Sequence, residues 1–381
     1  MAFTVVALLT IGAAAQTAGT TGAASGPTIQ QATILNPMTQ VNAKYICGGQ
    51  VSAGTPIAGN AAGLGTSGVI PLAGIPAGAK IRKAMLFWSV LTNSAEAANP
   101  GMNIAFNGNP ITGVKIGFVA GESPCFPQAN TMGWKADVTS LVAGNGAYTV
   151  GGFPGGNAIT GANFTEGATL AVLYDDKSST LRRLVEYEGM AVTNSGGEVV
   201  SQALMGFTAG GAPVQATWYP VTGNGQAAAD TLGFGSLNLG STILDGSTAA
   251  KAAGTCSYTD SGTTECYWDD DNVNVSAAFV GGETSVTVVG GVPEAGGDCH
   301  SWLAMQLIVT TPPAQFQDFC AAGGAYADAQ CPPGGTYKNH GAYLSCVAQA
   351  AEAYLAGQGI LCEELQSCIV NPRARSGVGK P

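Results

Sequence analysis

The sequence predicts an all-β protein: two tandem jelly-roll-like β-sandwiches followed by a small disulfide-stapled helical C-terminal segment. Three observations predict it. Of 381 residues only 10% are charged and 7% aromatic, while glycine occurs 56 times, which suits short strands joined by Gly-rich turns rather than long helices. Apolar runs of strand length recur about every 8 to 12 residues with Gly/Asn punctuation and no helical period. A block of such runs at 81–176 returns in degraded form at 213–311.

The chain is long enough for two or three domains. Its 46% hydrophobic content separates it from disordered chains. The net charge of −10, with 14 Lys plus Arg and no long basic stripe, excludes a nucleic-acid partner, which requires clustered cations on phosphates.

Residues 1–15 read as a signal peptide. The apolar run from Ala2 to Ala15 is too short to span a bilayer and ends in Ala13-Ala14-Ala15, a small-residue cleavage site, although no Lys or Arg precedes it. The expected location is secreted or at the cell surface, without a transmembrane anchor. Residues 16–40 read as a flexible N-terminal segment. Within it Pro27 to Leu35, PTIQQATIL, has strand character and is a candidate donor strand.

Residues 41–190 are expected to form the first sandwich. Gly63, Gly65 and Gly68 spell GxGxxG, but VIPLAGIPAGAKI follows, and its prolines and glycines forbid the helix a dinucleotide site needs. The motif reads as a turn. Ala84 to Val90 is a continuous apolar run, as for a strand buried on both faces. Asn107-Gly108 and Asn145-Gly146 are hairpin signals, because type I′ turns require positive φ at both central residues. Gly167 to Tyr174 is another apolar strand, and the alternating Leu181 to Glu188 suits a strand with one wet face.

Residues 191–311 are expected to form the second sandwich, an internal duplication of the first. Trp88 matches Trp218, Asp137-Val138-Thr139 matches Asn274-Val275-Ser276, and Tyr148-Thr149-Val150 matches Val286-Thr287-Val288; Cys125 and Cys266 each precede the matching tripeptide. After a linker at Thr310 to Pro313, residues 312–381 form a Cys-rich tail. Asn339 to Leu355 and Glu363 to Val370 have helical character, the second ended by Asn371-Pro372.

Ten cysteines, Cys47, Cys125, Cys256, Cys266, Cys299, Cys320, Cys331, Cys346, Cys362 and Cys368, form no CxxC pair. An even count without metal-ligand spacing reads as a disulfide framework of an oxidising compartment, its connectivity open. The tail needs such staples, since two short helices bury little.

The run IPAGAKIRKAMLFW, then FNG, W-x-ADVTSLV, GNGAYTV and EGATLAVLYDD resembles an uncharacterised β-sandwich domain family of bacterial and archaeal secreted and surface proteins. WDDD-x-x-x-VS, TSVTV and DC-x-x-WLA resemble companion modules of such proteins, and NHGAYLSCVAQAA with SGVGK resembles a short Cys-containing helical tail. Together they cover roughly residues 70 to 380. The resemblance implies the cell exterior and a sandwich fold, and no enzymatic activity.

Hard oxygen ligands concentrate at Asp269, Asp271, Asn272 and Asn274, with Asp298 in a neighbouring loop, as Ca²⁺ prefers; a solvated acidic turn is the competing reading. Trp134 and Trp268 lie beside loops and are the candidate sugar-stacking aromatics. His300 stands between Asp298 and Ser301, but adjacent strand residues point to opposite faces, so no Ser-His-Asp triad is expected. Glu166, Asp175, Asp176, Glu186 and Glu188 are expected to be solvated rather than paired across a cleft. Asn163 and Asn274 open N-x-S/T acceptor triplets.

The expected function is therefore that of a non-enzymatic structural or interaction protein. It is expected to be a subunit of an extracellular filament, matrix or cell-surface assembly that joins copies by β-strand addition. The alternative is a carbohydrate-binding or calcium-dependent adhesion module. Partners would be other copies, surface proteins or glycans.

Overall fold

The computed structural model describes residues 33–35, 38–57, 65–155, 161–194, 198–223, 231–239, 258–260, 263–265, 268–291 and 299–379. The predicted signal peptide, most of the N-terminal segment, Cys256, Cys266 and Asp298 lie outside them.

In chain order the strands are β1 (Thr33–Leu35), β2 (Met38–Ile46), β3 (Gly48–Pro56), β4 (Ser67–Leu72), β5 (Lys80–Thr92), β6 (Asn103–Phe106), β7 (Asn109–Thr112), β8 (Val114–Ala120), β9 (Asn130–Asp137), β10 (Gly146–Gly151) and β11 (Asn163–Asp175). There follow β12 (Arg182–Thr193), β13 (Glu198–Met205), β14 (Ala216–Gly223), β15 (Thr231–Phe234), β16 (Leu237–Asn238), β17 (Tyr258–Asp260), β18 (Thr263–Glu265), β19 (Trp268–Asp269), β20 (Val273–Asn274), β21 (Ser285–Gly291) and β22 (His300–Thr310). The tail holds α1 (Pro313–Gln330), α2 (His340–Gly357), β23 (Ile360–Leu361) and α3 (Glu363–Ala374). The chain is thus mostly β, with a helical C-terminal segment.

The first half builds two sheets, ordered β3-β11-β5-β9-β8 and β4-β10-β6-β7. Trp88, Leu86 and Val90 of the former and Ile70, Phe106, Tyr148 and Val150 of the latter share one hydrophobic core. The second half builds β19-β14-β22-β12-β2-β23, with β20 also on β14, and β1-β13-β21-β15-β16. Trp218, Trp302 and Leu307 meet Leu204, Phe234 and Val288 in their core. The expected boundary at residue 190 falls inside β12, which is bonded to β22 and β2.

The turn after β9 and the turn after β20 are made alike. Val138 N–H donates to Ala84 O at 2.9 Å, and Ala84 N–H to Thr139 Oγ1 at 2.9 Å. Val275 N–H donates to Ala216 O at 3.0 Å, and Ala216 N–H to Ser276 Oγ at 3.0 Å. Asp137 and Asn274 each accept from the backbone two residues on, at 2.9 and 3.0 Å.

Of the two Asn-Gly signals, Asn107-Gly108 makes the β6–β7 hairpin with φ of 48° and 74°. Asn145-Gly146 does not join two paired strands. Asn145 instead bonds both backbone groups of Ile75, at 2.9 and 2.8 Å, and pins an incoming loop.

The sheets containing β11 and β22 pack on each other through Met85, Phe87, Ala171, Met190, Val221, Trp268, Leu303 and Ala304. At this seam Gly117 of β8 lies where a Cβ would fall 2.3 Å from Met190 Cβ. The expected wet face of Leu181 to Glu188 is overturned here: β12 is covered on both sides, by the core it shares with β13 and β21 and by the seam.

The tail has a helix the sequence did not signal. α1 begins where a linker was expected, with Pro313 at its first turn, where a missing N–H is harmless. Its Gly323 and Gly324 weaken the helical pattern but allow close packing. A Cβ on Gly323 would sit 2.4 Å from Ile369 Cδ1 of α3. α3 also runs past the expected stop at Asn371-Pro372 to Ala374, because Arg373 holds its last turn to α1 through Asp328 at 2.7 and 2.6 Å.

Four disulfides join described cysteines: Cys47–Cys362, Cys125–Cys299, Cys320–Cys368 and Cys331–Cys346. Such a set is typical of extracellular proteins. The first ties the tail to β2 beside the short parallel pair β2–β23, and the second ties the two halves. Among the described residues no helix is long and apolar enough to cross a membrane.

Candidate functional site

The acidic turn predicted as a ligand site lies at the seam. Trp268 is fully buried, and its indole N–H donates to Thr169 Oγ1 at 2.7 Å. Its ring lies on Gly167 of β11, where a Cβ would stand 2.4 Å from Trp268 Cγ. Asp269 and Asp270 are buried as well, and the Asp270 carboxylate sits over Gly54 of β3. Asn272 exchanges two hydrogen bonds with the backbone of Ser52: its Oδ1 accepts at 3.1 Å and its Nδ2 donates at 3.2 Å. With the amide oxygen of Asn274 taken by Ser276 N–H, both asparagine oxygens already serve backbone donors. The turn therefore fastens β3 to the second half. Asp271 is half-buried. The carboxylates of Asp269 and Asp271 join no group of three His, Cys, Asp or Glu side chains among the described residues, to which Asp298 does not belong. The one such group, Cys47, Cys362 and Glu364, contains a disulfide.

Trp134 is also buried. Its indole N–H donates to Pro100 O at 3.1 Å, and its ring shares with Trp88 the space left by Gly113. Neither expected stacking aromatic offers an open ring face, because both strands are covered by a second layer that sequence position beside a loop does not reveal.

The expectation of solvated acids is corrected for three of five. Glu166, Asp175 and Glu186 are buried, since β11 and β12 are packed on both faces. Ser89 of β5 and Ser301 of β22 both donate to Glu166 Oε2, the latter at 2.7 Å. Gly223 leaves room for this cluster; a Cβ there would fall 2.5 Å from that oxygen. A second chain runs from Gln50 to Gln306 to Glu186, the last step at 3.0 Å, and Asn42 also donates to Glu186. Asp175 pairs with Arg82 at 2.6 Å and accepts from Glu363 N–H at 3.0 Å. Glu188 pairs with Lys135 across β12 and β9. Charge-assisted bonds of this kind are strong where water is excluded, so Glu166, Glu186 and Glu188 clamp one sheet to the other and Asp175 fastens β11 to the tail.

His300 and Ser301 do point apart. Ser301 reaches Glu166, while the His300 ring lies by Trp302 at a 5.8 Å centroid distance. His340 sits in the tail, its ring nitrogens 2.7 and 3.0 Å from Val378 O and Ala374 O. Of the two acceptor triplets, Asn163 is half-buried with its Oδ1 bonded by Thr92 at 2.5 Å, and Asn274 is exposed. The seam cluster Ser89–Glu166–Ser301 was missed in the sequence. Its signal is a polar residue inside a run apolar on both faces, which marks a partnered interior group.

At the far side of the second half β1 lies parallel to the edge of β13, Thr33 opposite Glu198 and Leu35 opposite Val200. β2 follows after two residues and is fastened to the same strand: Met38 N–H donates to Gln202 Oε1 at 3.3 Å, and Gln40 Nε2 to Met205 O at 2.7 Å. An extended N-terminal stretch thus completes a sheet edge.

No known family model matches the chain, and comparison with curated proteins found no match.

Proposed function

We propose that the chain is a secreted, non-enzymatic structural subunit of an extracellular or cell-surface assembly whose copies join by β-strand addition. The observation that carries this reading is β1: a short parallel strand just upstream of β2, added to an open edge. The same main-chain pairing made with the β13 edge of a neighbouring copy links the two without a new interface. Pro27 to Leu35 remains the donor segment, of which the described part is Thr33–Leu35.

The framework of this proposal is two tandem jelly rolls derived by duplication. It is supported by strand order. In the first half one sheet runs in order from the first strand to the last, the third and the seventh (β3-β11-β5-β9), and the other from the second strand to β10, β6 and β7. In the second half β12-β22-β14-β19 and β13-β21-β15-β16 repeat that order, a repetition that supports the jelly-roll reading. The like hydrogen bonds at Asp137 and Asn274 support it independently. The four disulfides suit an exterior location.

The test is Ile34→Pro beside deletion of residues 16–36, with light scattering after size exclusion and electron microscopy of concentrated protein. Proline removes a ladder donor and β1 has only three paired residues, so both variants are expected to remain monomeric where the natural chain assembles. Assemblies of unchanged size and number in both variants would falsify strand donation.

A further inference from the structure

We propose that a cleft at the end of the seam binds a neutral saccharide. The cleft holds about 190 Å³, and Gly49, Tyr174, Asp176, Arg182, Gln215 and Thr217 line it. That is below the roughly 300–1,000 Å³ of pockets for drug-sized ligands, so the cleft takes a single sugar ring rather than a longer glycan. It lies where the first half ends and the second begins, so both contribute: Gly49, Tyr174 and Asp176 from β3, β11 and the turn after it, the others from β12, β14 and the residue before β14.

The floor is committed to the fold. Tyr219 hydroxyl donates to Gln50 O at 2.9 Å, and burial raises its pKa, so it stays protonated. The walls are not committed. Arg182 spends one N–H on Gly48 O at 2.6 Å, and it forms no ion pair among the described residues. Asp176 accepts Ser178 N–H at 2.9 Å on one oxygen and is likewise outside those ion pairs. The Tyr174 hydroxyl and the Gln215 side-chain amide bond to no described group. Burial, reinforced by the Asp176 carboxylate, lifts the Tyr174 hydroxyl above its usual range and keeps it a donor.

A guanidinium and a carboxylate that face one cleft without meeting each other need a ligand with both donors and acceptors. Vicinal hydroxyls of a pyranose meet that need in one molecule: one oxygen accepts from Arg182 while its neighbour donates to Asp176, with Gln215 able to do either. The ligand is neutral, since a second anion would meet Asp176 in a chain of net charge −10 and a cation would meet Arg182. The Tyr174 ring supplies an apolar surface for the C–H groups of the sugar. Gly49 is part of the design, because a Cβ there would stand 2.7 Å from the Tyr174 hydroxyl oxygen and displace the phenol.

The experiment uses the full chain on an array of neutral and anionic glycans, followed by calorimetric titration with the best neutral mono- or disaccharide. Asp176→Asn keeps the acceptor for Ser178, and Gln215→Ala touches an exposed side chain, so neither should move the melting temperature. The expected result is binding of neutral glycans by the natural chain, weakened about tenfold or more in each variant, as for a lost hydrogen bond to a ligand group. Binding should be unchanged in the chain lacking residues 16–36. No neutral glycan bound at millimolar concentration, binding confined to anionic glycans, or equal affinity in both variants overturns the proposal.

Discussion

Replacing Trp268 by alanine, Gly167 by alanine, and both together interrogates the seam in a way that separates packing from ligand binding. Trp268 is fully buried, so its truncation should cost about 3–5 kcal/mol. Losing its donation to Thr169 adds about 1 kcal/mol. Gly167→Ala attacks the same contact from the other side. The new Cβ would stand 2.4, 2.5 and 2.7 Å from Trp268 Cγ, Cδ2 and Cβ. These atoms are rigid ring or root atoms that cannot swing aside, so overpacking should cost about 1–3 kcal/mol. Once the indole is gone the contacts at 2.4 and 2.5 Å go with it, and only the 2.7 Å approach to the retained Cβ of residue 268 is left. In the double variant Gly167→Ala should therefore cost clearly less than it does alone, giving a coupling of about 1–2 kcal/mol. Urea unfolding followed by far-ultraviolet circular dichroism measures all four proteins. Additive effects, within about 0.5 kcal/mol, would show that Trp268 does not press on β11. A stable Trp268→Ala protein that has lost only sugar binding would return the residue to the role of an exposed aromatic.

Two further outcomes test the tail. Cys47–Cys362 spans 315 residues, but Cys125–Cys299 and Cys320–Cys368 shorten the loop it closes to about 105 residues, for a stabilisation of at most about 5 kcal/mol. With both Cys47 and Cys362 changed to alanine, limited proteolysis should release the helical segment from residue 312 onward, whereas continued protection would show that β2–β23 pairing and apolar contacts suffice to hold it. The Glu363 carboxyl is held below its ordinary value chiefly by its hydrogen bond to Lys80, with Arg82 assisting against slight burial. A group lowered in this way stabilises the fold above the unfolded value near about 4.3 and loses that contribution as pH falls through the folded value. Between about pH 5 and 3 the melting temperature should thus drop less in Glu363→Gln than in the natural chain, and parallel curves would remove the ion pair from the account.

What could be read in the sequence was local. Ala84 to Val90 and Gly167 to Tyr174 are strands buried on both faces, as their unbroken apolar runs imply. Asn107-Gly108 turns with positive φ at both positions. The helices of α2 and α3 carry their own period. What could not be read depends on contacts between distant residues. Glu166 is indistinguishable in the sequence from a carboxylate at a strand end until β5 and β22 bring Ser89 and Ser301 to it. Trp268 and Trp134 stand beside loops, yet the second layer over each comes from the other half or from a remote turn. Gly323-Gly324 hides α1 because the benefit of two glycines there is the approach of Ile369 and Arg373, some 45 residues away in sequence. Asn145 looks like a turn former, but its partner is Ile75.

The Cys47–Cys362 bridge also sets how the molecule bears tension. Cys47 closes β2 and Cys362 opens α3, so the covalent crossing lies near both ends of the described chain. A steady pull applied upstream of Cys47 and downstream of Cys362 passes through that single sulfur–sulfur link. Apart from β1 and β2, which lie upstream of the bridge and peel from β13 and β12, the strands between the two cysteines, and the seam with its buried carboxylates, stay unloaded until it breaks. Single-molecule stretching from the two ends should accordingly release only the short outer segments in oxidising buffer, and the long contour of the sheets only after reduction.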